Sequence, residues 1–411
     1  MLIMKKALFI FSIAASLFCL SMFYRSSNAV IALDLIKDLK LNAETIGILG
    51  GAFFYSFSLL QIPMGLMLDR IGPKIIISLF AIIGAIGSFV FGLSNSYYTA
   101  ITGRILIGIG MAAMLMGSLK ILAIKFPAEK FATLAGLIIT AGSVGSLLSA
   151  SPLSYFSSIL GWRTVFIITG FITVFLGIAL FFLLESDSHK NFLNNGQNTA
   201  SKPNEVKDSI MIVLKTHAFW QICSMAFFRY GIFVSLQGLW LGVYLMTAKG
   251  YTSLQTGNML ILMAIGNALG APVSGRLSDK VIPSRKKMVI YGLGIYTFLI
   301  LILTLMPHIN HPIWYGSIFF LMGFFNGFGT LLYSHVKELF PLSISATVMA
   351  WVNFFTMAGG AVFMPLLGRI IERLSWADVN IQLQYEIIFF ICFLGMLLSL
   401  VYYSFSKTGN E

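Results

Sequence analysis

Residues 41–70 read LNAETIGILGGAFFYSFSLLQIPMGLMLDR, and residues 251–280 read YTSLQTGNMLILMAIGNALGAPVSGRLSDK. Laid over one another with a shift of 210, the two stretches align without a gap. Gly47 meets Gly257, Gly65 meets Gly275, Asp69 meets Asp279 and Arg70 meets Lys280. Phe23-Tyr24-Arg25 recurs as Phe227-Phe228-Arg229, and Phe126-Pro127 recurs as Phe340-Pro341. Glycines and an acid matching in equivalent loops are not what chance similarity between apolar runs produces. Self-similarity at this range marks a duplicated architecture.

The composition asks for a membrane. Hydrophobic residues make up 58% and charged residues 10% of the 411, and the mean hydropathy is +0.89. A soluble domain carries about a quarter charged residues, so much of this surface faces something other than water. Apolar runs of about twenty residues, enough to cross a bilayer core, recur along the chain. Read between charged or turn-rich breaks, they give spans at 7–33, 43–67, 74–94, 98–122, 131–155, 163–185, 216–246, 253–274, 287–306, 312–336, 345–369 and 384–405. The two Phe-Pro pairs, Pro307 and Pro312 mark the ends of helices. Lys5 and Lys6 before an apolar stretch imitate a secretory signal, but the run is longer than a signal core and reads as the first span. The predicted fold class is all-α integral membrane, with twelve transmembrane helices in two pseudo-symmetric six-helix bundles.

Charge placement gives the orientation. With both termini in the cytoplasm, 18 of the 27 Lys and Arg residues fall on the cytoplasmic side, 6 on the outer side and 3 inside spans. That bias follows the positive-inside rule. It also accounts for the net charge of +12 without nucleic acid, whose binding needs a soluble basic face. The polar stretch SDSHKNFLNNGQNTASKPNEVKDS at 186–209 reads as a flexible cytoplasmic linker. The expected division is residues 1–185 as the N-terminal bundle, 186–215 as the linker and 216–411 as the C-terminal bundle. Each bundle holds an even number of spans, so the repeat is parallel. Short tails and compact loops suggest a bacterial cytoplasmic membrane. Cys19, Cys223 and Cys392 sit in apolar runs without metal or redox spacing and read as packing residues; no cofactor is expected.

Between spans two and three stands Gly65-Leu-Met-Leu-Asp69-Arg70-Ile-Gly72-Pro-Lys74, with its copy at Gly275, Asp279 and Lys280. This loop resembles the signature loop of the major facilitator superfamily. With the span count and the central linker, the resemblance covers essentially the whole chain. It implies a secondary transporter working by alternating access, with the loop as a latch on the inner side. Gly65 would permit close helix approach, and Asp69 would meet a helix N-terminus or an arginine. A purely topogenic loop accounts for Arg70 and Lys74 but not for the acid and the glycines. Arg104-Ile-Leu-Ile-Gly108-Ile-Gly110 resembles the family's Arg-x-x-x-Gly-x-Gly pattern, which implies for Arg104 either coupling or the anchoring of backbone carbonyls. One pattern departs from the family's drug–proton antiporters, which carry Gly-Pro-x-x-Gly-Gly in span five. Here Gly136 is followed by Ala141-Gly142-Ser143-Val144-Gly145 without the proline, although such small residues still suit close packing of spans.

Arg25 and Arg229 carry the sharpest expectation. A charge within the hydrocarbon is costly and normally faces a cavity or a partner. The two arginines hold equivalent places in spans one and seven, which in this superfamily line the central cavity. A guanidinium stays protonated and binds carboxylate or phosphate bidentately. The expected substrate is therefore a small organic anion (carboxylate, amino acid or phosphate ester), as in the organic-anion and organophosphate branches. The competing reading is snorkelling to the headgroups. Tyr24, Asn28, Tyr55, Gln61, Tyr230, Gln237, Trp240, Asn267, Asn326 and Asn353 are candidates for holding the rest of the substrate, against the plainer reading that Tyr and Asn bridge helices.

Energy coupling is written less clearly. Asp34, Glu44, Glu129, Glu185, Glu338 and Glu386 fall near span ends. His335 is the candidate proton group, against a role as an interfacial helix-end residue. Otherwise the substrate carries the proton, or anions exchange. The chain has no phosphate-binding loop or nucleophile constellation, so no enzyme reading arises. The alternatives are a multidrug efflux antiporter and a transporter-like solute sensor. The missing proline motif and the two arginines speak against the first, and the short tails against the second. The expected working unit is a monomer in the lipid bilayer, taking a small-molecule substrate with a proton or counter-anion.

Overall fold

The structure is a computed structural model of the chain, and it describes residues 2–185, 213–282, 284–306, 309–340 and 342–407. Among these residues twelve helical stretches are long and apolar enough to cross a membrane. They are α1 (Lys6–Ser26), α2 (Ala43–Arg70), α3 (Pro73–Gly92), α4 (Tyr97–Lys125), α5 (Glu129–Leu148), α6 (Trp162–Leu183), α7 (His217–Thr247), α8 (Ser253–Lys280), α9 (Arg285–Leu305), α10 (Pro312–Leu339), α11 (Val348–Trp376) and α12 (Ile381–Ser404). Each answers one span read from the sequence. Of the expected linker only 213–215 lies within the described residues; Pro307 and Pro341 lie outside them.

Two spans end earlier than hydropathy suggests. The first, expected over 7–33, breaks at Ser27 and resumes as a separate helix, Asn28–Leu39. The fifth, expected over 131–155, ends at Leu148 and gives way to a short helix, Ser151–Leu160. Pro152 explains the second break, because a proline ring clashes with the carbonyl four residues back, here that of Leu148. Ser27 has a different cause, a side chain from another span.

The described chain forms two compact units. One holds Met1–Ser27 and Ala52–Ser201; the other holds Asn28–Gly51 and Lys202–Glu411. The first turns of α2 therefore pack with the second unit, although they belong to the first repeat. There Arg369 pairs with Glu44 at 2.8 Å, and the Ala43 amide donates to Glu372 at 3.0 Å.

Within each unit the spans meet at glycines, as expected where lipid gives no hydrophobic drive to association. In the first unit α3 and α4 share such a seam. A Cβ on Gly103 would lie 2.6 Å from the Phe91 nitrogen, and one on Gly110 would overlap the backbone of Gly84. Gly145 of α5 sits on the Cys19 backbone of α1, and Gly359 of α11 sits on Gly231 of α7 in the second unit. These seams occupy equivalent places in the two repeats. Gly136 has nothing within 4 Å, so of the small residues expected to pack α5, Gly142 and Gly145 do so and Gly136 does not.

At the end of the first unit where α1 begins, Lys6 pairs with Glu185, and Lys125 stands 3.6 Å from the same carboxylate. The Lys6 hydrogen bond first, and then the charge of Lys125, hold the Glu185 carboxyl below its ordinary range. The pair is exposed, so screening keeps its worth small.

Gly110→Val should lower the thermal midpoint of the purified protein, at a cost of about 1–3 kcal/mol for overpacking against backbone. Gly136→Ala should leave the midpoint unchanged or raise it; equal losses would show that the seam is not where the structure puts it. Because the folded pKa of Glu185 is depressed, its contribution is present above the unfolded value and lost as pH falls through the folded one. The stability gap between wild type and Glu185→Gln should therefore be seen near pH 7 and close below about pH 4, measured as midpoints across that range.

Candidate functional site

Arg25 stands in the last turn of α1, 6% exposed, with its guanidinium 4.7 Å above the ring of Phe57 on α2. Tyr24, its neighbour in sequence, is fixed from both ends. Its hydroxyl bonds Ser88 on α3 and Thr173 on α6, and its carbonyl accepts from Arg104 Nη1 of α4 at 3.0 Å. Ser27 Oγ donates to the same carbonyl and lies 3.4 Å from both terminal nitrogens of Arg104. An α-helix offers each carbonyl one backbone donor; this one takes two side-chain donors where α1 breaks. Arg104 has no exposed surface, and Phe91 and Phe166 lie 4.2 and 5.3 Å from its guanidinium. Of its two implied roles, the structure displays the carbonyl anchor.

A second pair of breaks lies in α4 and α10. The helix of α4 is interrupted at Ala112 and Ala113, and that of α10 tightens into a 3₁₀ turn at Gly327–Thr330. With the Phe-Pro pairs in register, Ala112 corresponds to Asn326, so the breaks are equivalent. Non-helical backbone at membrane depth needs donors from elsewhere in the protein. Gln61 of α2 donates to the Ala112 carbonyl at 3.3 Å, and Ser21 of α1 reaches the Met111 carbonyl at 3.4 Å. In the second unit Arg229 of α7 does this work. Its Nη1 donates to the Asn326 carbonyl at 3.0 Å and approaches Asn326 Oδ1 at 3.4 Å, while Asn326 Nδ2 donates to Asn267 Oδ1 of α8 at 2.9 Å. Arg229 is 5% exposed, and its Nε is buried with no hydrogen-bond partner among the described residues.

The structure thus joins Arg229, Asn267 and Asn326 in one cluster, with the Tyr230 ring 5.8 Å from the guanidinium. Asn353 of α11 accepts from the Tyr333 hydroxyl at 3.1 Å, and Thr356 lies 3.4 Å from that hydroxyl. Sequence reading passes over Tyr333 and Thr356, since single polar residues in apolar runs carry little pattern. The available signal was the i, i+3 spacing of Asn353 and Thr356 on one helix face. Three other candidates, Tyr24, Gln61 and Trp240, bridge helices. Tyr24 and Gln61 are occupied as described, and Trp240 is buried with Nε1 donating to the Met364 carbonyl. Asn28 is buried at the start of the helix after the α1 break. Gln237 stands in a π turn, Leu236–Trp240, and Tyr55 is 55% exposed.

The signature loops close on their own units. Asp69 pairs with Lys120 of α4 at 2.8 Å. Its copy Asp279 pairs with Arg285, the first residue of α9, which also reaches Glu338 of α10 at 3.3 Å. Gly72 has φ 94, a conformation that favours glycine, and Pro73 then starts α3. Gly65 and Gly275 do not serve close approach, since a Cβ on either would meet nothing within 4 Å. Arg70 and Lys280 are exposed at the loop. His335 is fully buried, four residues before the end of α10. Its Nε2 faces the Lys407 carbonyl at 3.0 Å, and its Nδ1 faces the Tyr403 hydroxyl at 2.8 Å. A carbonyl only accepts, so Nε2 carries the proton and Nδ1 accepts from Tyr403.

Comparison with known proteins agrees with this architecture. The sequence profile of the Major Facilitator Superfamily matches residues 13–364. A probable L-galactonate transporter of Escherichia coli (strain K12) is 26% identical over 287 residues, which are 66% of this chain and 62% of that protein. A D-galactonate transporter of Escherichia coli O6:H1 is 22% identical over 88% of each chain. A probable hexose phosphate transport protein of Chlamydia pneumoniae is 22% identical over 88% of this chain and 84% of its own. Among solved structures, a bacterial homologue of the human lysosomal transporter Spinster, inward-facing and occupied, superposes with a TM-score of 0.74 at 17% identity. It covers 96% of this chain and 95% of its own. Twelve apolar spans, a duplicated half and a profile matched over most of the chain make this multi-pass membrane protein, a transporter and not an enzyme, a member of the major facilitator superfamily.

Proposed function

We propose that this protein is a secondary transporter of a small hydroxylated organic anion, recognised by Arg25 and Arg229. The carrying observation is the buried Nε of Arg229, a charged donor with no hydrogen-bond partner among the described residues. An orphaned donor of this kind costs free energy until an acceptor arrives, and a carboxylate or phosphate offers the bidentate partner a guanidinium prefers. Arg25 occupies the equivalent place in the first repeat, as buried as its counterpart. The relatives support the class, since galactonate and hexose phosphate are hydroxylated anions. The polar cluster of Asn353, Tyr333 and Thr356 offers both donors and acceptors, which suits a hydroxylated chain. Efflux of cationic drugs finds no support beside two buried guanidinium groups.

The working arrangement proposed is the N-terminal bundle 1–185 moving against the C-terminal bundle 216–411 about the linker, as a monomer in a bacterial inner membrane. The distribution of Lys and Arg supports cytoplasmic termini. Every carboxylate of the spans lies within the first or last two turns. Coupling by exchange of anions, or by a proton carried on the substrate, therefore fits better than an embedded acid. His335 is engaged at both nitrogens by the tail of α12, which supports a structural role for it.

Uptake into proteoliposomes tests the reading. D-galactonate, tartrate and glucose 6-phosphate should include at least one transported anion, while galactose and ethidium are not transported. Arg25→Lys and Arg229→Lys should each lower uptake about tenfold or more, since losing a charge-assisted bidentate pair costs about 1.5–3 kcal/mol. Undiminished anion uptake by both variants, or transport of ethidium alone, would sink the proposal.

A further inference from the structure

We infer that Gly329, Asn326 and Asn267 are positioning residues that aim the guanidinium of Arg229 at the anion. The inference rests on the anion reading above. The 3₁₀ turn at Gly327–Thr330 starts from Asn326, whose carbonyl also takes Arg229 Nη1 as a side-chain donor. The Asn326 amide is oriented in turn. Its Nδ2 donates to Asn267 Oδ1, which directs its Oδ1 at the same Nη1. Asn267, Asn326 and Arg229 thus form a directed chain from α8 through α10 to α7.

This chain occupies one nitrogen of the fork. The opposite edge, Nε with Nη2, presents two parallel N–H groups of the kind that bind a carboxylate or phosphate bidentately. Nε has no hydrogen-bond partner among the described residues, so the edge suited to an anion keeps a donor to be matched. Gly329 makes the room for it. A Cβ there would overlap Arg229 Cδ and Nε and would stand 2.7 Å from Cζ. These atoms are the far end of a flexible side chain, so alanine at 329 would push the guanidinium aside and leave the helices in place. No charge or hydrogen-bonding group would be removed by that change.

Kinetic uptake of D-galactonate, tartrate and glucose 6-phosphate by purified protein in proteoliposomes tests the inference through a double-mutant cycle. Gly329→Ala should raise KM about tenfold for a transported probe with Vmax within about twofold, the sign of a binding group misplaced rather than a transporter broken. In the Arg229→Lys background, where the planar fork is gone, Gly329→Ala should add less than about twofold. An equal rise in both backgrounds, or an unchanged KM in the single variant, overturns the positioning role. If Arg229→Lys leaves KM unchanged, the anion reading fails at Arg229, which is a different outcome from additivity within the cycle. Uptake of none of the three probes by the unaltered protein defeats the inference together with that reading. Should Gly329→Ala not accumulate as folded protein, Asn267→Leu goes through the same cycle. It removes the acceptor that orients the Asn326 amide, and the same results decide.

Discussion

A backbone carbonyl released from its helix inside the hydrocarbon has no water to turn to, and this structure is arranged around that constraint. Two such carbonyls, those of Tyr24 and Ala112, are met by side chains from other spans, Arg104 and Gln61, and the Asn326 carbonyl at the 3₁₀ turn of α10 takes Arg229 as an added donor. Each contact permits a break in a spanning helix and binds that helix to its neighbour. The breaks fall in α1, α4 and α10, while the glycine seams hold the continuous stretches together. Polar side chains here stabilise because the alternative is an unpaired group in lipid. A leucine in place of Gln61 would fill the same space and leave the Ala112 carbonyl without that donor.

The repeat prescribes equivalent frames and leaves the polar chemistry free to diverge. Arg25 and Arg229 correspond, and so do Phe57 and Asn267 under the shift that pairs residues 41–70 with 251–280. In the first unit the guanidinium therefore meets an aromatic face. In the second, an asparagine at the matching position orients Asn326, which takes the guanidinium. Two differences between the repeats, Phe57 against Asn267 and Ala112 against Asn326, separate two kinds of support, a ring quadrupole and a hydrogen-bond chain. The signature loops diverged in the same way, with Lys120 of α4 partnering one aspartate and Arg285 of α9 the other.

How much of this could be read in the sequence follows from range. Span number and duplicated frame were legible because apolar runs and matched glycines are local patterns. The end of α5 was legible too, had Pro152 been weighed against hydropathy. The break at Ser27 was not, since its cause is Arg104, some eighty residues away and in another span. Among candidate ligands, Arg25 and Arg229 stood out because a charge within an apolar run is rare. Tyr24, Gln61 and Trp240 did not declare themselves as bridges, because a tyrosine facing a hydroxyl and one facing a substrate look alike in one dimension. Gly65 shows the opposite error: its copy at Gly275 suggested a packing need, and both stand in open space.

The sign of the buried charge carries the last step. Arg25, Arg104 and Arg229 are buried within the spans, while every carboxylate of those spans stands within two turns of an end. A buried cation normally takes an anion as partner. Dipoles and quadrupoles stand around these three: the Tyr24 and Asn326 carbonyls, and the rings of Phe57, Phe91, Phe166 and Tyr230. Such groups attract a cation without cancelling its charge. Arg104 is enclosed by two rings, the Tyr24 carbonyl and Ser27, and has no surface to offer. The positive potential that remains at Arg229, with one donor unanswered, is what an arriving anion would complete. A carboxylate built into the same place would fill that donor permanently, so the absence of an acid from the middle of the spans is itself a condition for binding one that comes and goes.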